Sequence, residues 1–433
     1  MMSAASVSAR SRCVPSRNCK SGCGNSPVKK ACCHRPDSLA LARNEGNLSR
    51  DTGEVFLIKF NTFISTVKAT RASHAILFGA VLLMVACAPR PTAERGPRIE
   101  EAQIRQVYVA TQRDLSRPRQ TFGQPRNEQL NFFRASVSIP PVHQPGQVEW
   151  AKRGETADPA RHFVVTDTKV YDRPNRFMRE MKRDSTMNET MVFVHGYNNT
   201  LSDAMYRLAQ IQEDFDLGMS SVLFSWLSSG DARGYIYDRD SILYARDDLE
   251  EVLKAVSAQD NGSILLVAHS MGSHLVMEVL RQAALRGDRE LLSRINGVIL
   301  MSPDLDPDLF RSQAEAIGKL PQPFLIFVSR EDRALSLASF ITGRKPRLGV
   351  IDGPEAVEGL QVQVIDFTAL ADGEGLNHSV PATSPAAISL LKGMFTQAST
   401  GNGRFDDYMV LKAPPPESGV LPIPGGGMIG RRR

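Results

Sequence analysis

The chain has 433 residues, a formal net charge of +5 and six cysteines. Residues 1–86 hold 12 basic and 4 acidic side chains, whereas the other 347 hold 40 and 43, and no cysteine lies beyond Cys87. The body therefore lacks the basic surplus that phosphate neutralisation requires, which argues against a nucleic-acid partner, and it lacks the thiols of a disulfide-stapled fold.

The leader comes first. Residues 1–66 are polar, rich in Ser and Arg and without a sustained period, as expected of a disordered or mis-assigned segment preceding a start near Val55, Leu57 or Val67. Cys13, Cys19, Cys23, Cys32 and Cys33 are irregularly spaced with no C-x-x-C pair, so no zinc site is expected there. Residues 67–86 read as a signal peptide: Lys68, Arg71 and His74 precede the apolar run Ala75–Ala86. That run is shorter than the ~20 residues a bilayer span takes. Met84-Val85-Ala86-Cys87 is similar to a bacterial lipobox, so Cys87 is the expected lipid attachment point, and the expected location is an exported, membrane-anchored lipoprotein facing the periplasm or cell exterior. Residues 87–103, rich in Pro, Arg and Glu, read as a tether.

The body, 104–398, opens with alternating runs at Ile104–Thr111, Ala135–Ile139 and His162–Thr166, which predict antiparallel strands. The pattern then changes. Short apolar runs at Met191–His195, Ser221–Trp226, Ser263–Ala268, Gly297–Met301, Phe324–Ser329 and Gln361–Phe367 alternate with helical periods. One long helix is expected to carry Ile242, Ala245, Leu249, Val252, Leu253 and Val256 on one face, and Pro381–Phe395 closes with another helical period. Buried strands alternating with amphipathic helices predict an α/β fold, a mostly parallel central sheet with helices on both faces. Residues 399–433, rich in Pro and Gly, read as a disordered tail.

Ser263–Ala268 runs into Ala268-His269-Ser270-Met271-Gly272 and then a helical period. This is G-x-S-x-G with alanine first: a serine on a sharp strand-to-helix turn needs small neighbours so that strand and helix can approach. The helix N-terminus then aims free N–H groups at a developing oxyanion. The Met271 N–H is one expected donor, and the Tyr197 N–H, in the loop His195-Gly196-Tyr197-Asn198, is the other, with the Asn198 side chain as the alternative. His195 itself reads as a residue that shapes the loop.

A base must follow the serine in chain order. His274 projects from the elbow helix and His269 is adjacent to the serine, which leaves His378, in the loop after the last predicted strand. Three carboxylates lie at strand ends where they could orient it: Asp332 is preferred, and Asp306 and Asp304 are the alternatives. The Asp304/Asp306 pair also suits a helix N-cap before Pro307. Tyr235 and Tyr237, with Asn198, are candidates to line a substrate pocket; helix entry and capping by Asp238 or Asp240 is the competing reading of that stretch.

The segments VFVHGYNNT, FSWLSSGDARGYIYDRDS, AHSMG, MSPDLD, REDRAL and LNHSV together resemble an uncharacterised bacterial esterase/lipase-like family of the alpha/beta-hydrolase superfamily, over roughly residues 105–395. The resemblance implies a core sheet of about eight strands and a Ser270–Asp332–His378 triad. Leu227 departs from it, standing where proline is expected. The implied activity is serine hydrolysis of small carboxylic esters through an acyl-enzyme, with no metal or organic cofactor. An acyltransferase or amidase on the same residues, or a non-catalytic binding or scaffold lipoprotein, is the alternative. The sequence sets neither the substrate nor an oligomeric state.

Overall fold

A computed structural model describes residues 90–115, 129–185, 187–259, 262–371, 376–399 and 408–410. The expected signal peptide and Cys87, the expected lipid attachment point, lie outside the described residues. Among the described residues, no helix is long and apolar enough to cross a membrane.

Ten strands among the described residues form one sheet: β1 (Gln103–Thr111), β2 (Asn131–Ile139), β3 (Val164–Tyr171), β4 (Glu189–Val194), β5 (Ser220–Ser225), β6 (Ser263–His269), β7 (Ile295–Met301), β8 (Phe324–Val328), β9 (Gln363–Asp366) and β10 (Tyr408–Val410). Their order is β10-β9-β8-β7-β6-β4-β5-β1-β2-β3. From β1 to β10 every neighbouring pair is parallel, and β2 alone runs against both its neighbours. Successive side chains of a strand point to opposite faces, and the burial follows that period. On β4, Val192 and Val194 enter one core, and Met191 and Phe193 the other.

Helices cover both faces. The first carries α1 (Pro174–Arg183), α3 (Tyr235–Tyr244), α4 (Arg246–Ser257), α5 (Met271–Leu285), α6 (Arg289–Arg294) and α7 (Pro307–Ile317). The second carries α2 (Leu201–Asp214), α9 (Val380–Thr383) and α10 (Pro385–Ser399). Beyond β8 follows α8 (Arg333–Ile341).

Several elements differ from their sequence-based expectation. Among the described residues the sheet has ten strands where about eight are expected. The single long helix is two, divided at Ala245, although Ile242 and Leu249 enter the same core on either side of the break. The helical period over Pro381–Phe395 is likewise divided at Ser384. Tyr408–Val410, within the expected tail, pairs in parallel with β9. The end of the expected tether is docked: Gly96 N–H donates to the Val165 carbonyl (3.1 Å), and Val165 N–H to that of Glu94 (2.8 Å).

Candidate active site

The C-terminal ends of β4, β5, β6, β7 and β8 carry the site. Ser270, between β6 and α5, has φ 54° and ψ −123° and is buried. A non-glycine residue in this region is strained and needs its surroundings to hold it. Here Ser270 N–H donates to the Met301 carbonyl (2.9 Å), while its own carbonyl accepts from Asp304 N–H (3.1 Å) and Ser273 N–H (3.0 Å). Two glycines let the chain close around the turn. A Cβ on Gly272 would lie 2.5 Å from the His195 carbonyl oxygen, and one on Gly196 would lie 2.7 Å from Ser270 Cβ.

His378 Nδ1 lies 2.7 Å from Asp332 Oδ2. Asp332 is fully buried and is also the N-cap of α8, its Oδ1 accepting from Leu335 N–H at 2.9 Å. Each carboxylate oxygen is thus held. Asn377, at φ 51°, turns the loop immediately before the histidine; asparagine is among the residues that tolerate this conformation. His269 Nε2 lies 3.2 Å from the His378 carbonyl oxygen and 3.2 Å from Ser379 Oγ, with the two imidazole centroids 4.7 Å apart. Burial, then the neighbouring His378, pushes the His269 pKa well down, so this ring is neutral. Its place is beside the His378 loop. Ser270 Oγ makes no hydrogen bond to His378 or to any other described residue. Such contacts are commonly long until substrate is bound.

The alternative acids are engaged elsewhere. Asp306 caps α7, accepting from Asp308 N–H (2.8 Å) and Leu309 N–H (3.2 Å), and pairs with Lys345 at 3.0 Å. Asp304 is buried against Arg347 at 3.0 Å and accepts from the Tyr235 hydroxyl at 2.9 Å. Burial raises the Asp304 pKa, and Arg347 is the largest influence opposing it.

Among the described residues, neither the Tyr197 nor the Met271 backbone N–H has an acceptor. His195, as expected, shapes the loop: it stacks on Trp226 (centroids 5.0 Å apart, 11° between planes), and Trp226 Nε1–H donates to its carbonyl at 2.8 Å. Burial pushes its pKa down to about 3. The residues proposed for a substrate pocket fare differently. The hydroxyl of Tyr235 is taken by Asp304 and by Arg347, which donates to it at 3.0 Å. Asn198 N–H donates to Asp238 Oδ2 at 3.2 Å, and neither Asn198 nor Tyr237 lines a cavity described below. Neither Asp238 nor Asp240 caps α3, whose N-cap is Gly234; Asp238 is instead a buried anchor for the loop before it, also accepting from Ser228 Oγ–H (2.8 Å) and Ser229 N–H (2.7 Å).

Arg113 was not singled out by sequence reasoning. Buried at the C-terminal end of β1, it donates to the carbonyls of Asn199 (3.3 Å), Trp226 (3.4 Å) and Ser228 (2.9 Å). With Asp238 it ties the loop bearing Tyr197 to the loop after β5. Its one sequence signal is a charge at the C-terminal end of a strand that leads toward the site, the edge where ligands gather in open α/β sheets.

A cavity of about 230 Å3 opens beside His269 and His378, walled by Trp150, Phe193, Arg207 and Ala382. On the opposite flank a pocket of about 10 Å3 lies among Tyr235, Met271, His274, Asp304 and Arg347. Among the described residues, no group of three or more His, Cys, Asp or Glu side chains is placed to hold a metal ion.

A family model described as "alpha/beta hydrolase of unknown function (DUF900)" matches residues 172–394. The chain belongs to this family. Its fold is the alpha/beta-hydrolase fold, and the match spans every strand that brings Ser270, Asp332 and His378 to one edge. No curated protein matches this alpha/beta hydrolase. Solved structures similar to it include Est1E from Butyrivibrio proteoclasticus, at 10% identity over 63% of this chain and 95% of that one, TM-score 0.33. Dienelactone hydrolase from Anabaena variabilis is 13% identical over 69% and 99%, TM-score 0.33. Esterase B from Lactobacillus rhamnosis is 14% identical over 79% and 98%, TM-score 0.34.

Proposed function

We propose that this alpha/beta hydrolase cleaves small carboxylic esters with Ser270 as nucleophile, His378 as general base and Asp332 as the residue that orients the base. The observation carrying this reading is the 2.7 Å bond from His378 Nδ1 to a buried carboxylate, together with a serine held at positive φ on the strand-to-helix turn. The carboxylate holds the tautomer in which Nε2 is free to accept a proton, and it stabilises the imidazolium that follows. Ser270 Oγ bonds to the acyl carbon as its proton passes to His378. The same proton then goes to the leaving alcohol oxygen as the ester C–O bond breaks. Water repeats the sequence on the acyl-enzyme and regenerates the serine. The Tyr197 and Met271 N–H groups, free of acceptors in the fold, receive the oxyanion; such a donor contributes about 3–4 kcal/mol in the transition state.

Turnover of 4-nitrophenyl esters of graded acyl length tests this reading. The wild type should turn them over, and Ser270→Ala should lower kcat by ~10⁶-fold. Equal turnover by both proteins would overturn the assignment. A lipid on Cys87, tethering the domain to a membrane, is part of the same proposal. Metabolic labelling with a palmitate analogue tests it: label on the wild type and none on Cys87→Ser supports the anchor, and equal labelling removes it.

A further inference from the structure

The two cavities flanking Ser270 each contain an arginine, and the two arginines are in opposite electrostatic situations. Arg347 is neutralised at 3.0 Å by Asp304. Arg207 lies on the inward stripe of α2, one turn from Ala204 and one from Ile211, both buried. The same stripe carries Gln210 and Asp214, so Arg207 sits at the polar edge of a face that otherwise meets the sheet. Its Nη1 donates to the Gly146 carbonyl (3.2 Å) and to Gln210 Oε1 (2.6 Å). Among the described residues, its Nε and Nη2 have no acceptor and no carboxylate comes within ion-pair distance.

The nearby carboxylates are committed. Asp203 also lines the cavity, but its Oδ2 accepts from Thr200 N–H (2.9 Å), from Thr200 Oγ1–H (2.8 Å) and from Arg90 (3.2 Å). Asp214 is held by His143 (3.0 Å), by Gly146 N–H (2.6 Å) and by Gln210. Val148, Trp150, Phe193 and Ile211 supply apolar walls, and His378 stands at the other end. Asp214 and Asp203 stabilise its charge from beyond ion-pair distance, but a partly buried guanidinium with no direct ion pair is costly, and its free edge matches a carboxylate, which it can bind through two N–H groups.

We propose that this cavity is a subsite for a carboxylate carried by the substrate, bound by Arg207, so that the preferred substrates are half-esters of short dicarboxylic acids. The inference rests on the hydrolase reading above and names the substrate class of the same site. The cavity volume, about 230 Å3, is below the ~300–1,000 Å3 of drug-sized ligand sites, which restricts the linking chain to a few carbons.

The test compares monomethyl glutarate with methyl pentanoate, equal in chain length and different only in the terminal carboxylate, by titrating the acid released. The wild type should favour the glutarate in kcat/KM. In Arg207→Met the ratio of the two kcat/KM values should fall by about ten- to a hundredfold, the span of a hydrogen bond to a charged group. In Arg207→Lys, which keeps the charge without the fork, the ratio should be intermediate. A ratio unchanged in Arg207→Met, with circular dichroism showing the variant folded, would overturn the subsite.

Binding separates this inference from the hydrolase reading. Saturation-transfer NMR of monomethyl glutarate on Ser270→Ala should give a signal that disappears in the double variant Ser270→Ala with Arg207→Met. Loss of the signal supports the subsite even if neither ester is hydrolysed, and equal signals in the two proteins reject it even if both are.

Discussion

The two flanks of the elbow serine solve the same problem in opposite ways. On the α3/α5/α7 side, Tyr235, Asp304 and Arg347 are linked to one another, the guanidinium paired with a carboxylate, around a pocket of about 10 Å3. On the α2/α9 side, Arg207 spends one nitrogen on the fold and faces a cavity more than twenty times larger with the rest. The closed flank supports the backbone of the turn, since Asp304 N–H donates to the Ser270 carbonyl. The open flank leaves a cation available. The chemistry of neighbouring residues alone does not separate these roles; the presence or absence of a matching carboxylate does.

After the loss at Ser270 itself, the largest expected effect lies between the flanks. Asp332→Asn should lower kcat by roughly 10⁴-fold with the fold intact, because the imidazole would be held in the wrong tautomer, and steady-state kinetics check it. Asp304→Asn should instead act on stability. Leaving Arg347 buried without its partner should cost about 3–5 kcal/mol in urea unfolding. A larger kinetic effect from Asp304→Asn than from Asp332→Asn would exchange the roles assigned here.

The flanks should also lose stability at opposite ends of the pH range. On the open side, His143 bridges Glu149 (2.9 Å) and Asp214 (3.0 Å). Burial lowers its pKa, but the two hydrogen-bonded carboxylates prevail and raise it to about 9. A histidine raised from 6.5 to about 9 on folding contributes stability that is full below pH 6.5 and is lost as pH rises through about 9, on the order of 2–3 kcal/mol. On the closed side, burial, helped by Arg239 and Arg347 and opposed by Glu278, lowers His274 to about 4. The unfolded chain then binds a proton that the folded chain refuses, so stability falls as pH drops from 6.5 toward 4, by a similar ~2–3 kcal/mol. Unfolding curves should show the alkaline loss abolished in His143→Gln and the acid loss reduced in His274→Gln. His195 and His269, also depressed, contribute to the remaining acid loss. The smallest effect is Tyr235→Phe, which removes a hydroxyl between Asp304 and Arg347 and should cost about 1–2 kcal/mol by the same unfolding measurement.

The strand-to-helix turn at Ser270 and the loop bearing His378 were legible because their signals are local and positional. An apolar run followed by Ala268-His269-Ser270-Met271-Gly272 names a strand-to-helix turn, and one downstream histidine sits on a loop after a strand. The choice among Asp332, Asp306 and Asp304 was less legible, since all three follow strands and all three suit local bonding. Asp332 both caps α8 and meets His378, so capping chemistry did not discriminate. The break at Ala245 was invisible for a related reason: Ile242 and Leu249 enter one core, and an apolar stripe does not register a change of axis. The helix α1 was missed because only Phe177, Met178 and Met181 are buried in an otherwise charged segment. Arg207 carried no mark in the sequence, since Asp203, Gln210 and Asp214 share its side of α2, and its meaning depends on the cavity, which is formed by segments far apart in the chain.

The most direct test of the hydrolase account is intact-mass and peptide analysis after treatment with a fluorophosphonate. The account predicts a single adduct on Ser270, absent in Ser270→Ala and slowed in His378→Gln. A folded wild-type protein that takes up no adduct, or takes it up at another residue, would contradict it.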